Sequence, residues 1–340
     1  MSVRSRVLVA ALLLLPVLAA CSTDESDHGP GTDRPSGSGT GSGTKTAGCG
    51  PVAFDEVAGR PPSYVDGPMN GFPNDHAVCA AAWLPRTGTK FVPQGLVVEG
   101  GTAWVSGYDG GGAVGSLYCR VLKVDLATGR KLDERAPVGG QIGFRDPVDC
   151  RHGGGLSRDE HGLWLAEKRR LWLLDPQTLE TIRAWAIVLP VWGSFVVHDD
   201  AGRIGLAGFA EHRPTRMHWF DADDLLAPGV IEVTTGLAVG EQPVPARGQG
   251  AFHADLGRGP AKVWFVRSTT RCGMLDGGPR SHLGFIPGAE GAAVSGRSLW
   301  VVSESTSAPY FLDGGRPVVP ALARFDLRGI AEWEPAPCVP

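Results

Sequence analysis

Gln94-Gly-Leu-Val-Val-Glu-Gly-Gly-Thr-Ala-Trp-Val-Ser106, followed by Arg120-Val-Leu-Lys-Val-Asp125, holds the pattern that decides the fold. A Gly opens a short apolar run, a Glu-Gly-Gly turn ends it, a second apolar run starts near Trp104, and a third closes on Asp125. Apolar and β-branched runs of this length, punctuated by Gly-rich turns, read as strands joined by hairpins.

The same order returns along the chain. Further openings are Gly154-Gly155-Leu-Ser, Gly193-Ser194-Phe-Val-Val, Gln249-Gly250-Ala-Phe and Glu290-Gly291-Ala-Ala-Val. The second strands read Leu163-Trp164, Ile204-Gly205, Val263-Trp264 and Leu299-Trp300. Third strands ending in Asp recur at 170–175, 216–221 and 321–326, and His282-Leu-Gly-Phe-Ile286 is expected as a fourth copy that lacks the closing Asp. Recurrence at roughly 40–60 residues, without helical periodicity, predicts an all-β fold: a β-propeller of five four-stranded blades over 94–340. Residues 49–93 do not follow the pattern. They are expected either to lend Ala80 to Leu84 as an outer strand to the last blade or to form a sixth, degenerate blade.

Val121 to Gly139, containing Val-Leu-Lys-Val-Asp-Leu-Ala-Thr-Gly129 and Ala136-Pro-Val-Gly139, resembles the YVTN-type, NHL-like repeat of bacterial exported propellers. The resemblance implies the fold and an exported location, and brings no catalytic residue with it.

Ahead of the repeat, Arg4 and Arg6 precede an apolar run from Val7 to Ala20, shorter than the ~20 residues a membrane span needs and suited to a signal peptide over 1–20. The run ends in Leu18-Ala-Ala-Cys21, which resembles the lipobox of bacterial lipoproteins. That resemblance implies cleavage before Cys21 and a lipid on its sulfur, hence an extracytoplasmic chain anchored to the cell membrane. Residues 22–48 are almost all Gly, Ser, Thr, Asp and Pro and bury too little to fold, so 21–48 reads as lipidated Cys and tether. Two acyl chains give stable anchoring where one is marginal.

Composition excludes one partner class. Thirty-two basic residues against thirty-six acidic ones, without clustering, argue against nucleic acid. Beyond Cys21 there are six Cys, an even number in an exported chain, which predicts disulfides. Cys119 starts a third strand and Cys150 lies in the loop leading into the next blade, so these two are expected to pair. The partners of Cys49, Cys79, Cys272 and Cys338 stay open.

Gly110-Gly-Gly-Ala-Val-Gly115 matches a dinucleotide fingerprint by letter, but a strand follows where the chemistry needs a helix N-terminus, so it reads as a hairpin loop. Asp159-Glu160-His161 and His198-Asp199-Asp200 fall at equivalent turns and read as turn formers rather than metal ligands. No GxSxG, HExxH, P-loop or EF-hand spacing occurs from residue 49 onward. Ala289-Glu290-Gly291 with Leu299-Trp300 resembles the Gly-Glu-Gly-Pro opening of gluconolactonase-type propellers. That resemblance implies a divalent cation such as calcium near Glu290 and hydrolase or lyase chemistry. The Asn ligands of such enzymes lack counterparts in the blades, because the two Asn of the chain are Asn70 and Asn74.

Propeller geometry places the loops before first strands and those after second strands on one face, around the axis. The former carry Gln94, His152, Ser194, Gln249 and Glu290; the latter carry Tyr108, Asp109, Glu167, Glu211, Arg267 and Glu304. Gln94, Gln249 and Glu290 precede the opening Gly at the same repeat position, and a buried amide or carboxylate there is costly unless paired. They are expected to converge with His152, Arg267 and Glu304 as a binding site. Arg267 would keep a neighbouring carboxylate ionised, and Glu304 would help hold a cation. The expected function is therefore a tethered propeller that binds a ligand or protein partner without a cofactor, with the metal-dependent enzyme as the alternative.

Overall fold

Five sheets each present an inner strand to a common axis, and the chain visits them in order. In the computed structural model the described residues are 48–110, 117–278 and 281–340. The signal, Cys21 and the tether to residue 47 lie outside them, as do residues 111–116 of the Gly-rich loop.

Blade 1 runs Phe91–Glu99, Thr102–Asp109, Tyr118–Asp125 and Lys131–Arg135 from inside to outside. Blade 2 consists of Gly155–Asp159, Gly162–Glu167, Arg170–Leu174 and Thr181–Ile187, with Glu232–Val233 added in parallel at its outer edge. Blade 3 is Phe195–His198, Arg203–Ala207, Thr215–Asp221 and Gly240–Val244. Blade 4 is Gly248–Ala254, Lys262–Thr269, Cys272–Asp276 and His282–Phe285. Blade 5 takes three strands from the C-terminal part, Ala289–Ser295, Ser298–Ser303 and Leu322–Asp326, and its outer strand, Val78–Ala82, from the N-terminal part. The fold is a five-bladed propeller whose ring is closed by strands from opposite ends of the chain.

One strand assignment changes. His282–Phe285 is the outer strand of blade 4, and the third strand is Cys272-Gly-Met-Leu-Asp276, preceded by Arg271. The Arg-apolar-Asp pattern is thus intact in this blade. Gly273 interrupts the apolar run, which hides it in the sequence.

The recurrent Asp has a local cause. Asp125 Oδ1 accepts from the backbone N–H of Thr128, Asp175 Oδ1 from those of Gln177 and Thr178, Asp276 Oδ1 from that of Gly278, and Asp326 Oδ1 from that of Arg328. Each carboxylate closes the turn into the segment that follows the third strand, a job its short acceptor side chain does well. Hydrogen bonds to the charged form hold all three of Asp125, Asp326 and Asp175 below the usual carboxylate range: the Thr128 hydroxyl first at Asp125, the Arg328 guanidinium first at Asp326, and the Thr178 and Gln177 N–H groups at Asp175.

The recurrent Trp packs between blades. Trp104 is buried with Leu163, Leu165 and Trp172 of blade 2, Trp164 with Val196, Ile204 and Phe220 of blade 3, and Trp300 with Leu96, Val105 and Leu122 of blade 1. Blade 3 has Gly205 where the others have Trp, and Trp219, its direct cross-strand partner, fills the space. A Cβ on Gly205 would sit 3.0 Å from that indole.

Three disulfides join Cys49 to Cys79, Cys119 to Cys150 and Cys272 to Cys338. Asn74 completes the closure: its amide donates to the carbonyls of Gly284 and Glu334, and its oxygen accepts from the Glu334 N–H at 2.8 Å. Asn70 accepts from the Val318 N–H at 2.6 Å. Both Asn residues of the chain therefore serve to pin the N-terminal segment to the C-terminal part.

Candidate functional site

Three of the five inner strands begin with a β-bulge. Pairing skips Gln94 between Pro93 and Gly95, skips Gln249 between Gly248 and Gly250, and sets Glu290 and Gly291 against the single residue Val302. A bulge adds an unpaired residue and re-aims its side chain. It is therefore the backbone device that turns these three polar residues out of the sheet register at one level of the propeller.

Next to each bulge is a glycine where neighbouring inner strands nearly touch. A Cβ on Gly250 would lie 2.3 Å from the Glu290 carbonyl oxygen, and one on Gly291 would lie 2.6 Å from the Gln94 carbonyl oxygen. Only hydrogen fits in these gaps. Around this ring the axis is pinched to a cavity of about 10 Å³, lined by Gly95, Gly155, Gly250, Gly291 and their neighbours. That is room for about one water, so the expected central channel is closed at this level.

On the upper face, where inner strands begin, Glu290 and Glu304 hydrogen-bond to each other. They are only 2 % and 5 % exposed. Gln94 donates from Nε2 to Glu304 Oε2 at 3.0 Å, and Glu290 Oε1 has no protein partner. Burial raises both carboxyls: Glu304 to about 8 despite the Gln94 bond, and Glu290 well above its ordinary value, with Glu304 adding repulsion. The pair holds at least one proton at neutral pH. The expected contact of Arg267 with a carboxylate of this pair does not form.

Arg267 is occupied elsewhere, donating to Asp276 Oδ2 at 3.0 Å and to the Ala246 carbonyl at 2.9 Å. Its cross-strand partner is Met274, two residues from Asp276, so the nearer carboxylate takes the guanidinium. Gln249 shares the bulge position with Gln94 but, among the described residues, makes no hydrogen bond to either Glu.

Exits of other second strands also carry acids, each matched by a cation. Asp109 pairs with Arg120 at 2.7 Å, Glu167 with Arg170 at 2.5 Å, and Glu211 with Arg247 at 2.5 Å. Glu304 alone of these faces a second acid.

Two tyrosines lie beside the acid pair. The Tyr108 and Tyr310 hydroxyls lie 3.0 Å apart, and the charges of both Glu residues act on each phenol. Burial pushes Tyr108 up to about 12, and Tyr310 is raised as well. His152 stacks on Tyr108 with ring centroids 4.5 Å apart. The side chain is exposed at the surface, and desolvation by the protein around it lowers its imidazole to about 4. The cluster thus runs from an exposed imidazole past two phenols to the acid pair. Ser194, at the equivalent loop of blade 3, takes no part.

Tyr310 was not a sequence candidate. It rides on the short helix Ala308–Asp313, which follows Ser303-Glu-Ser-Thr-Ser307, five consecutive polar residues that are all buried. A polar run after a strand normally signals an exposed loop, so its true signal was ambiguous.

Glu290 belongs to no group of three His, Cys, Asp or Glu with donor atoms within 4.8 Å of one another; among the described residues such groups all include disulfide cysteines. Among the described residues, larger cavities of about 230 Å³ and about 340 Å³ lie at the lower mouth of the axis and beside Phe54, Met69 and Phe72. No described helix is long and apolar enough to cross a membrane.

No protein-family model and no curated protein sequence matches the chain. Among solved structures, the chain is similar to one in a nidogen/laminin complex (10% identity, 63% of this chain, 73% of that chain, TM-score 0.38). It is also similar to BamB from Moraxella catarrhalis (14% identity, 68% of this chain, 56% of that one, TM-score 0.29). A third is the PQQ-bound aldose sugar dehydrogenase from Streptomyces coelicolor (11% identity, 76% of this chain, 81% of that one, TM-score 0.34). At this level of likeness the propeller assignment stands on the blade topology itself, and no function transfers.

Proposed function

We propose that the chain is a lipid-anchored extracytoplasmic propeller that binds a ligand at the cluster formed by His152, Tyr108, Tyr310, Gln94, Glu304 and Glu290, without chemistry of its own. The carrying observation is the contrast between blades. Every other exit acid discussed above has a cation, whereas Glu304 is set against Glu290, whose Oε1 has no protein partner. A fold gains nothing from two buried acids facing each other; perturbed groups of this kind mark sites.

The chemistry favours an uncharged, hydroxyl-rich ligand. A protonated carboxyl and the amide donate, the phenols donate and accept, and the neutral imidazole offers a flat face. A charged ligand would lose hydration here without a fixed counter-charge. Saturation-transfer NMR with neutral monosaccharides should show transfer to the wild-type chain and loss of it in Tyr310→Ala and Glu304→Gln. Absence of transfer from every sugar tested, or transfer unaffected by both variants, would count against this reading.

The unpartnered oxygen of Glu290 also favours a second reading, a divalent cation and hydrolase or lyase chemistry. Calcium chloride would then raise the melting temperature of the wild type and leave Glu290→Gln unmoved. The Gln94 amide points its donor at Glu304, which suits a shared proton better than a metal.

Three disulfides support an oxidising compartment. The anchor rests on Arg4, Arg6, the short apolar run and Leu18-Ala-Ala-Cys21. Cys21→Ala is expected to shift the protein from the membrane fraction to soluble or unprocessed forms. Mature, detergent-dependent membrane protein from that variant would exclude lipid on Cys21.

A further inference from the structure

The 340 Å³ cleft lies where the N-terminal segment closes blade 5, and its volume falls within the ~300–1,000 Å³ of ligand pockets. Pro51, Val52 and Phe54 line it from one stretch of that segment and Pro68, Met69 and Phe72 from another, with Val78 and Pro320 completing it. Its apolar lining is held from behind. The Phe54 ring lies 5.5 Å from that of Trp83, the Phe72 ring 6.2 Å from that of Phe325, and Val52 and Met69 pack against buried residues. All four side chains nevertheless stay partly exposed.

The cleft offers little to a polar ligand. Among the described residues lining it there is no Lys, Arg or His. Asn70 Oδ1 accepts from the Val318 N–H, and an Asp75 carboxylate oxygen accepts from the Phe72 N–H at 3.3 Å. A polar occupant would lose hydration without finding partners, whereas an aliphatic chain gains by leaving water.

The chain that lies outside the described residues joins the propeller at this cleft. Cys49 is bonded to Cys79, the neighbour of the lining residue Val78, and the Gly50 N–H donates to the Val78 carbonyl at 2.8 Å. Pro51, the next residue, already lines the cleft. A Gly/Ser-rich linker as long as residues 22–48 has an end-to-end reach of roughly 30 Å. A group carried on Cys21 therefore meets the cleft at an effective concentration on the order of millimolar.

We propose that the cleft takes up an aliphatic chain, one acyl group of the lipid on the protein's own Cys21, when no bilayer is present to hold it. This rests on the lipid-anchored reading above. A bilayer buries every acyl chain along its whole length and prevails where it is available; away from it, the short tether favours the cleft. The site is separate from the acid pair and shares none of its residues.

Feeding producing cells a palmitate analogue that bears a diazirine would put a photoreactive acyl group on Cys21. The mature lipoprotein, freed of detergent at high dilution and irradiated, should yield Cys21 peptides joined through that group to residues 51–54 or 68–72. Reconstitution into phosphatidylglycerol vesicles before irradiation should reduce this crosslink at least about 10-fold. Gly71→Trp, which fills the cleft, and Ala53→Asp, which sets a carboxylate in it, should each reduce it at least about 10-fold without vesicles. A Cβ on Gly71 meets only Asp75, at 3.4 Å, and Ala53 is exposed, so both variants should keep the wild-type melting temperature. A Cys21 peptide without any acyl group would refute the anchor and this proposal together. An acylated Cys21 with no crosslink to either segment, or a crosslink undiminished in both variants, would overturn the proposal and leave the anchor standing.

Discussion

Raising the pH from 5 to 9 is expected to lower the melting temperature of the wild-type chain, and replacing both acids, Glu290→Gln with Glu304→Gln, should remove most of that loss. Glu304 is held at about 8 and Glu290 well above its ordinary value, both mainly by burial. In the unfolded chain both are ordinary carboxyls near ~4.3. Between these values the native state binds more protons than the unfolded state, so stability falls as pH rises. The contribution is complete below the unfolded value and is lost as pH climbs through the folded one. Every tenfold gain in a carboxyl's proton affinity on folding is worth about 1.4 kcal/mol. The pair therefore accounts for several kcal/mol, or roughly 5–10 °C in a chain of this size.

The turn carboxylates work in the opposite direction. Asp125, Asp175 and Asp326 are held low and lose their contribution only in acid, below the window tested. Thermal melts of wild type and of the Glu290→Gln/Glu304→Gln double variant at pH 5, 7 and 9 separate the two effects. Parallel curves for the two proteins across that range would mean that the buried pair does not govern this dependence.

Removing residues 49–82 should abolish cooperative folding. Blade 5 would lose its outer strand, exposing the edge of Leu322–Asp326 as an unpaired template for aggregation. Buried Val78, Ala81 and Ala82, the Asn70 and Asn74 clamps and the Cys49–Cys79 bridge would go with it. The disulfide alone is worth ~2–5 kcal/mol in a secreted domain, comparable with a large part of a marginal total stability of ~5–15 kcal/mol. Removing residues 22–47 instead should leave the melting temperature unchanged. A truncated 83–340 chain that melts cooperatively near the wild-type temperature would show that the ring does not depend on this closure.

Much of the fold was legible because its causes are local. The Asp at a third-strand end bonds N–H groups two or three residues ahead, so the requirement recurs in every blade that makes this turn. The recurrent Trp marks a repeated interface, and the opening Gly a repeated close approach. Where such a marker moved by one strand, as Trp219 did in blade 3, or was broken by a glycine, as at Gly273, the reading weakened.

The site was legible only in outline. Glycine-flanked Gln94, Gln249 and Glu290 could be matched by position, because the bulge that exposes them belongs to the repeat. Which of them meet was settled by ring closure, which brings Gln94 to Glu304 across 210 residues and Tyr108 to Tyr310 across 202. Arg267 went to Asp276 because an adjacent strand supplied a nearer carboxylate. Local spacing thus determined strands, turns and blade order, since those depend on hydrogen bonds between near neighbours. Only the closed ring decided which acids share a proton, because burial and partnership there come from blades distant in the chain.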